Sequence, residues 1–403
     1  MPRVDALVET NVHDSFRVQQ VAGLFDLPLR DRSMMQFQAE LPGLHEPWQI
    51  GAIVGPSGSG KSILADRAYN QGIVCEKSLI TRFDWPREKA IVDAFDDELD
   101  GRAITRMLGA VGFSSPPAWV RPFHVLSNGE QFRCNLARAL LLDQPLVAMD
   151  EFTSVIGRQV ARFASAAIAR AMRKRDGTVR CQRFVAVTCH DDILPWLQPD
   201  WWFDTSTGKL HWGSLQRPII AIQVHRCRQH LWPMFERHHY LSATLSPAAR
   251  CYIARWQGRP IAFCATMHQI ARRPRRRVHR LVVLPDYQGL GVGPALLNAV
   301  ARHESKHHTA VSIVTSHPVL IRTLDHSPHW QRVRTQRVGR IHCGFQQRFG
   351  RAFGSPGRAT ASYLYQPEPS ASGDVHESFA KIRRSRPATS ARSGTAPGRR
   401  NLP

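Results

Sequence analysis

The first group of residues whose types and spacing could do chemistry lies at 51–62, where an apolar strand pattern runs into a glycine-rich turn ending in Lys-Ser. The glycines let the backbone curl so that several N–H groups face a polyphosphate, and the following helix start adds the positive end of its dipole. Lys61 would reach the β- and γ-phosphates, and the Ser62 hydroxyl would ligate Mg²⁺. The residues predicted to hold a nucleoside triphosphate are Gly55, Pro56, Ser57, Gly58, Ser59, Gly60, Lys61 and Ser62.

A second anion-binding helix start is predicted at residues 126–133, which read Leu-Ser-Asn-Gly-Glu-Gln-Phe-Arg and precede a helical run. Ser127 and Gly129 lie at this start. The N–H groups of the first helical turn and the helix dipole would face an anion here.

Two apolar strand patterns end in residues that could act on the same phosphates. The first is followed by Asp150 and Glu151, and the second leads to His190. We expect Asp150 to hold Mg²⁺ through its water shell and Glu151 to orient or deprotonate the attacking water. The His190 ring could contact the γ-phosphate. Each feature is common alone, but their order after a complete phosphate-binding loop favours a single nucleotide site.

In this order and spacing, residues 12–212 resemble an ABC-type ATPase domain. Walker A lies at 55–62, the signature at 126–133, Walker B at 146–151 and the switch histidine at 190. The resemblance implies a homodimer through the ATPase domains, with ATP held between the P-loop of one subunit and Ser127 and Gly129 of the other. It also implies Ser62 and Asp150 as Mg²⁺ ligands and Glu151 and His190 as catalytic residues.

Three features depart from the family pattern. The signature carries Asn128 where glycine is usual and Glu130 where transporters carry glutamine. The segment 154–157, at the position of the D-loop, lacks the usual aspartate, which bears on communication between subunits. The one glutamine between the P-loop and the signature, Gln71, lies at the P-loop helix, so no Q-loop glutamine is visible. Because transporters couple to their membrane subunit through that loop, its absence argues against transport.

A second glycine-rich turn, 288–293, lies between the strand pattern 278–283 and an apolar helix pattern. Its lead-in is Leu-x-Val-x-Pro-x-Tyr-Gln, and the segment resembles motif A of the GNAT acyltransferases, in which such a turn binds the pyrophosphate of acetyl-CoA. The resemblance implies acetyl-CoA binding by Leu281, Val283, Gln288, Gly289, Leu290, Gly291, Val292 and Gly293. A Rossmann site is the structural rival, but no early strand–helix–strand unit with a downstream ribose-binding acid is visible.

The acid or base of acyl transfer stays open at this point. By position, His317, Asp325, His326 and Tyr363 are candidates. No tyrosine occurs in the helix pattern at 318–325, where many GNAT enzymes keep their general acid. Acyl transfer could then proceed largely through proximity of the two substrates.

The elements that must position these residues follow from hydrophobic periodicity. Strands are predicted at 16–21, 35–39, 219–224, 251–256, 259–267, 310–315, 353–354 and 358–365, and helices at 89–99, 104–111, 227–238 and 318–324. The fold class is α/β, with an ABC-type ATPase domain (1–213) followed by a GNAT-fold α+β domain (214–365). The segment 366–403, rich in Ser, Pro, Gly and Arg, is predicted to be a disordered basic tail.

Charge is the strongest signal in the composition. The formal net charge is +22 at pH 7, and six arginines lie between 272 and 280. A nucleic-acid partner would neutralise such charge, although an arginine-rich genome and a solvated tail give the same sum. Eight cysteines without CxxC pairs suit a reducing compartment. Without a long apolar run or a signal peptide, we expect a cytoplasmic protein with no membrane partner.

The chain as a whole resembles ABC ATPase–GNAT fusions of phages and mobile elements, over about residues 12–365. This favours an ATP-dependent N-acyltransferase acting on a nucleic acid or a nucleic-acid-associated substrate. The alternatives are a DNA-base modification enzyme like the phage Mom proteins, a non-catalytic ATP-driven clamp and, last, a transporter ATPase.

Overall fold

The structure is a computed structural model, and it describes most of the chain. The described residues are 1–11, 13–28, 32–174, 176–213, 215–216, 218–239, 244–270, 274–306, 309–337, 359–367 and 381–383. The predicted strand at 353–354, Arg272, Arg273, Arg358 and most of the predicted tail lie outside these residues.

The N-terminal unit combines a central sheet with flanking helices. Its strands are β1 (Arg3–Asn11), β2 (Arg32–Glu40), β3 (Ile50–Val54), β4 (Leu79–Ile80), β5 (Val147–Met149), β6 (Phe184–Thr188), β7 (Trp201–Asp204) and β8 (Lys209–Trp212). Its helices are α1 (Phe16–Phe25), α2 (Lys61–Tyr69), α3 (Gly101–Ala110), α4 (Pro116–Trp119), α5 (Asn128–Leu140), α6 (Arg158–Lys174) and α7 (Leu194–Leu197).

The sheet topology brings the predicted nucleotide-binding residues to one edge. The strand order is β4-β5-β6-β3-β7-β8, parallel except for the β7–β8 pair, and β3, β5 and β6 are buried along their whole length. Strands covered on both faces read as continuous apolar runs, as these do. The carboxyl ends of β3, β5 and β6 carry the P-loop, Asp150 with Glu151, and His190, and they lie side by side.

The C-terminal unit is built on a second sheet. Its strands are β9 (Gln223–Cys227), β10 (Arg250–Trp256), β11 (Arg259–Gln269), β12 (Arg275–Val283), β13 (Ala310–Thr315), β14 (Trp330–Arg337), β15 (Ala359–Tyr365) and β16 (Lys381–Arg383). Its helices are α8 (Pro233–Glu236), α9 (Val292–Ser305) and α10 (Pro318–Asp325). The strand order is β14-β15-β13-β12-β11-β10-β9-β16.

Strands β12 and β13 separate along their length. They are parallel neighbours, but they pair only at Arg275–Arg277 with Ala310–Ser312. Beyond these pairs the two strands diverge, because the rest of β12 has no partner on that side while β13 continues in register with β15. The sheet therefore opens as a wedge at the end of β12, where the turn 288–293 begins.

Helix α6 lies between the two units. Ala161, Ala164 and Ile168 are buried in the core of the N-terminal unit. Phe163, on another face of the helix, is fully buried in the core of the C-terminal unit, with its ring centroid 5.2 Å from those of Trp256 and Tyr287. Edge-to-face pairs of this kind contribute about 0.5–1.5 kcal/mol each beyond the apolar area they bury.

Most predicted elements are confirmed, and three are wrong. Residues 16–21 form helix α1 instead of a strand, capped by the Ser15 hydroxyl. The predicted helix at 89–99 is only a 3₁₀ turn at Ile91–Asp93, and the one at 227–238 is reduced to short turns around α8. Strand β14 was not predicted. Within residues 366–403, the described strand β16 pairs with β9.

The mixed α/β architecture is confirmed, and the domain boundary at 213/214 stays a prediction. None of the described helices has the length and hydropathy to cross a membrane.

Glycines let the two units approach each other closely. A Cβ on Gly289 would lie 2.9 Å from the Gly112 Cα, and a Cβ on Gly112 would lie 2.8 Å from the Gln288 carbonyl oxygen. A Cβ on Gly109 of α3 would overlap the Val319 side chain of α10. Real Cβ atoms do not come this close, so these contacts require glycine.

We therefore expect Gly109→Ala to lower the free energy of unfolding, by about 1–3 kcal/mol for an overpacked contact, although alanine favours helix. Adding Val319→Ala should restore part of the loss, since the two sites share one contact. Gly101→Ala, in the same helix with nothing within 4 Å of the added Cβ, is the control. Thermal unfolding of the full chain measures all four proteins, and equal midpoints for the two glycine variants would contradict the packing described.

Candidate functional sites: a nucleotide cradle and an acyl-carrier cradle

The P-loop has the backbone that its glycines predict. Gly55, Gly58 and Gly60 have φ values of 147°, 79° and 82°, in the region that favours glycine. Gly60 is the N-cap residue of α2, and a Cβ there would overlap the Phe37 ring. The Lys61 ammonium donates to the Pro56 carbonyl at 2.6 Å, so the lysine lies folded across the loop. The loop can therefore present backbone N–H groups and a cation to a polyphosphate.

Residues suited to hold Mg²⁺ already touch. The Ser62 hydroxyl donates to Asp150 Oδ1 at 3.1 Å, and the Glu151 N–H donates to the same oxygen at 2.8 Å. Mg²⁺ is held in such sites by one or two oxygen ligands together with phosphate and water oxygens, so this pair fits the ion. Glu151 itself is exposed, with φ at 49°, which leaves its carboxylate accessible for a water.

His190 lies at the end of β6, beside the strand that carries the P-loop. Burial and the nearby Arg158 lower its pKa, so the ring is neutral at pH 7 and can accept a hydrogen bond. Asp192 in the same loop forms ion pairs with Arg158 and Arg162 of α6. The histidine loop is thus tied to the helix that follows Glu151.

Glu130 of the signature caps the start of helix α5. Ser127 is the N-cap residue of α5, and Glu130 completes a capping box with it. The carboxylate accepts from the Ser127 N–H at 3.0 Å and from its hydroxyl at 2.8 Å. Such a box stabilises a helix start by satisfying two N–H groups. The Glu130 carboxylate therefore stabilises the start of α5.

The second glycine-rich turn forms the predicted cradle at the start of α9. Gly289 and Gly291 have φ values of 88° and 81°, and Gly291 is the N-cap residue of α9. A Cβ on Gly293 would lie 3.3 Å from the Val283 side chain, which accounts for the third glycine. The turn is half-buried, not enclosed, and its residues line a cavity. It therefore satisfies the backbone requirement for approach of a pyrophosphate.

This cavity fills the wedge between β12 and β13 and has a volume of about 1640 Å³. Small-molecule sites typically measure about 300–1,000 Å³, so a long carrier and an acceptor group would both fit. Leu281 and Val283, predicted from the sequence, line it together with the turn. The residues present thus fit an acyl-CoA thioester.

Gln288 connects the two units through its side chain. Its Oε1 accepts from the Ser114 N–H at 2.8 Å, and its Nε2 donates to the Val283 carbonyl at 3.0 Å. The predicted role in holding acetyl-CoA therefore belongs to the backbone at this position, while the amide positions the turn. The sequence motif alone could not show this, since Ser114 lies in the other unit.

The four candidate acids and bases differ in their surroundings. The Tyr363 hydroxyl donates to Asp325 Oδ1 at 2.7 Å, and Asp325 also forms an ion pair with Arg332. Burial and the Asp325 carboxylate raise the Tyr363 pKa to about 12. His326 is exposed. His317 lies in the cavity wall with Nε2 3.4 Å from the Ser114 carbonyl, and burial lowers its pKa. Of these four, His317, Asp325 and His326 line the cavity, at and beside α10.

Sequence reasoning missed His279. Ala265 pairs with Arg280 and Thr266 with Val278, so His279 is the extra residue of a β-bulge in β12. Bulges re-aim side chains next to active sites, and His279 lines the cavity. Burial, then Arg280 and Arg277, lower its pKa to about 4. Both ring nitrogens have partners, because the Ser246 N–H donates to Nε2 at 3.4 Å and Arg280 Nη1 lies 3.2 Å from Nδ1. His279 is therefore held as a neutral ring in the cavity wall.

The arginine run at 272–280 is not a uniform phosphate-binding patch. Arg276 and Arg280 are buried. Arg276 contacts the buried Glu304 at 3.2 Å, and Arg280 donates to the Thr244 carbonyl at 2.7 Å. Arg276 thus neutralises a buried carboxylate, and Arg280 satisfies a backbone carbonyl.

Comparison with known proteins finds similarity to an acetyltransferase family and to ATP-binding proteins. A family model described as "Acetyltransferase (GNAT) family" matches residues 220–318. The mycobactin import ATP-binding/permease protein IrtA of Mycolicibacterium smegmatis is 26% identical over 245 residues, covering 47% of this chain and 28% of that protein. The chain therefore spans less than a third of that relative's length.

Two solved structures are each similar to part of the chain. A bacterial ABC transporter cassette solved as a dimer is 14% identical and covers 43% of this chain and 87% of that chain, with a TM-score of 0.33. The ribosomal-protein-S18-alanine N-acetyltransferase from Escherichia coli is 15% identical and covers 39% of this chain and 99% of that chain, with a TM-score of 0.28. The predicted origin in phages or mobile elements stays a prediction.

The lowered pKa of His279 gives a pH dependence of stability. In the unfolded chain the histidine pKa has its ordinary value of about 6.5. Between this pH and about pH 4, the unfolded chain therefore binds a proton at His279 that the folded chain does not bind. Stability from this group is complete at pH 7 and falls as the pH drops toward 4. His279→Gln should therefore lose less thermal stability between pH 7 and pH 5 than the unchanged protein.

The control for this experiment is His268→Gln, which changes an exposed histidine of β11. It should keep the pH dependence of the unchanged protein. An identical pH dependence in all three proteins would show that His279 is not held neutral.

Proposed function

We propose that this protein hydrolyses ATP and transfers an acyl group from acetyl-CoA to an amine of a nucleic acid or a nucleic-acid-associated substrate. The match of residues 220–318 to the GNAT family model and the similarity to an ATP-binding/permease protein support this proposal. The observation that carries the proposal is the pair of glycine-rich turns, each with positive φ values and each opening a helix. One lies beside Mg²⁺-binding oxygens, and the other lies in a large cavity.

In the ATPase half, Lys61 leaves the Pro56 carbonyl to bind the β- and γ-phosphates, and Ser62 and Asp150 hold Mg²⁺. Glu151 orients the attacking water, and His190 contacts the γ-phosphate. Ser127 and Gly129 close the site from a second copy of the chain in a homodimer. The exposure of Ser127 and Glu151 supports this arrangement, because both are accessible to a second copy, and Gly129 is half-buried.

In the acyltransferase half, acetyl-CoA supplies an activated acyl group. The turn 288–293 and α9 bind its pyrophosphate, and the separated β12 edge accommodates the pantetheine arm beside Leu281 and Val283. The acceptor amine loses a proton to water as its nitrogen bonds to the acyl carbon. The carbon–sulfur bond breaks, and the leaving thiolate takes up a proton. Holding both reactants in one cavity supplies much of the rate enhancement.

The nucleic-acid substrate rests on charge and on the presence of an ATPase. The net charge is +22, which favours a polyanionic partner. Acyl transfer from a thioester needs no ATP, so the ATPase serves a substrate that has to be clamped or remodelled. A nucleic acid meets both conditions, whereas a free small amine meets neither.

The two halves can be separated by substitution. Lys61→Ala should lower ATPase activity about 100-fold or more, as expected when a preorganised phosphate contact is lost, while acetyl-CoA binding is retained. Gly291→Glu should abolish acetyl-CoA binding and retain ATPase activity, because its carboxylate would occupy the turn that binds the pyrophosphate. Gly258→Glu is the matched control, since Gly258 also has positive φ (77°) and open space but lies in the β10–β11 hairpin. Phosphate release measures the ATPase activity, and calorimetry measures acetyl-CoA binding. Loss of acetyl-CoA binding in Lys61→Ala would refute the two-unit division.

The acceptor can be identified by mass. DNA, tRNA and protein from cells with and without the gene should differ by one acetyl mass on a nucleic-acid fraction, and Gly291→Glu should abolish the difference. Added mass on protein alone would overturn the nucleic-acid substrate. Absence of acetyl-CoA binding would favour the Mom-like chemistry, and ATP-dependent retention on DNA without any added mass would favour the clamp.

A further inference from the structure

The cavity at the acyl-carrier cradle has a wall that belongs to the ATPase-like unit. Besides residues of β12, α10 and the turn 288–293, it is lined by residues of α3 and α6. Without α3 and α6, the C-terminal unit would leave this side of the cavity open to solvent. The wall contributes three arginines, Arg102 and Arg106 from α3 and Arg170 from α6.

Arg170 contacts the cradle directly. Its Nη1 donates to the Gly289 carbonyl at 2.9 Å, and its Nη2 donates to the Leu290 carbonyl at 3.0 Å. Because the peptide bonds are trans, the N–H groups of Leu290 and Gly291 point away from this guanidinium. The planar fork of arginine therefore fixes two peptide units whose N–H groups remain for a ligand.

Arg102 and Arg106 present unneutralised charge to the same cavity. They are four residues apart on α3, so both lie on one helix face, and both are exposed. Within the described part of the chain, neither guanidinium has a carboxylate within 4.0 Å. The two carboxylates that line the cavity are already paired, Asp176 with Arg322 and Asp325 with Arg332. The wall therefore favours an additional anion.

An acyl-CoA thioester carries one phosphate beyond the pyrophosphate, on the ribose of its adenosine end. We propose that α3 and α6 complete the acyl-CoA site, with Arg102 and Arg106 binding the 3′-phosphate and Arg170 acting as a positioning residue for the pyrophosphate turn. This inference rests on the proposed acyltransferase function. It assigns to the ATPase-like unit a direct part in binding the acyl carrier.

The test compares CoA with 3′-dephospho-CoA by calorimetry on the full chain. The unchanged protein should bind CoA roughly tenfold or more tightly than the dephospho form, since charge-assisted phosphate contacts are strong. Arg102→Gln/Arg106→Gln should abolish this preference and leave the affinity for dephospho-CoA unchanged. Arg170→Gln should weaken both ligands alike, because it holds the turn and not the 3′-phosphate.

The matched control is Arg82→Gln/Arg87→Gln, which removes the same charge from exposed positions of the same unit that do not line the cavity. It should keep the full preference for CoA, and thermal unfolding should confirm that each variant is folded. Full preference retained in Arg102→Gln/Arg106→Gln would overturn the inference while leaving the acyltransferase function intact. Binding of neither ligand by the unchanged protein would instead overturn the acyl-CoA site itself.

Discussion

The contact on which the rest of the structure depends is the packing of the turn 288–293 against α3 and α6. Gly289 and Gly112 meet backbone to backbone, with no room for a side chain on either. Arg170 holds two carbonyls of the turn, and Ser114 holds the side chain of Gln288. Burial of Phe163 beneath Tyr287 anchors the same contact, and a fully buried phenylalanine side chain contributes about 1.5–3 kcal/mol. The acyl-carrier cradle is therefore shaped by the neighbouring unit as well as by its own glycines.

Helix α6 connects this contact to the nucleotide site. It begins just after Glu151 and the residues of the D-loop position, and its first turns pair with Asp192 in the loop of His190. Its last turns hold the cradle through Arg170. Its 17 residues span about 25 Å at the usual helical rise. Since the helix is buried over most of this length, a displacement at one end is carried to the other.

Features that depend on neighbouring residues could be predicted from the sequence, whereas features that depend on contacts between distant residues could not. Both glycine-rich turns could be predicted, because positive φ values and a following helix are specified within a few residues. Residues 16–21 were misassigned because their apolar pattern fits a strand, while the Ser15 cap that starts α1 was overlooked. His279 could not be found, because only the pairing of β12 with β11 reveals the bulge. The hydrogen bond between Gln288 and Ser114 could not be predicted either, because the two residues lie 174 positions apart.

A shared helix has a thermodynamic consequence for two ligands in one chain. If ATP-driven closure moves α6 relative to α9, the hydrogen bonds from Arg170 to the cradle are among those that change, so the affinity for the acyl carrier differs between the open and closed states. Linkage then requires that the carrier alter the affinity for ATP by the same factor. An ATPase joined to an acyltransferase through separate, non-contacting domains would have no such coupling. The glycines at 109, 112 and 289 thus serve the fusion itself, because they bring the two units close enough for one helix to belong to both sites.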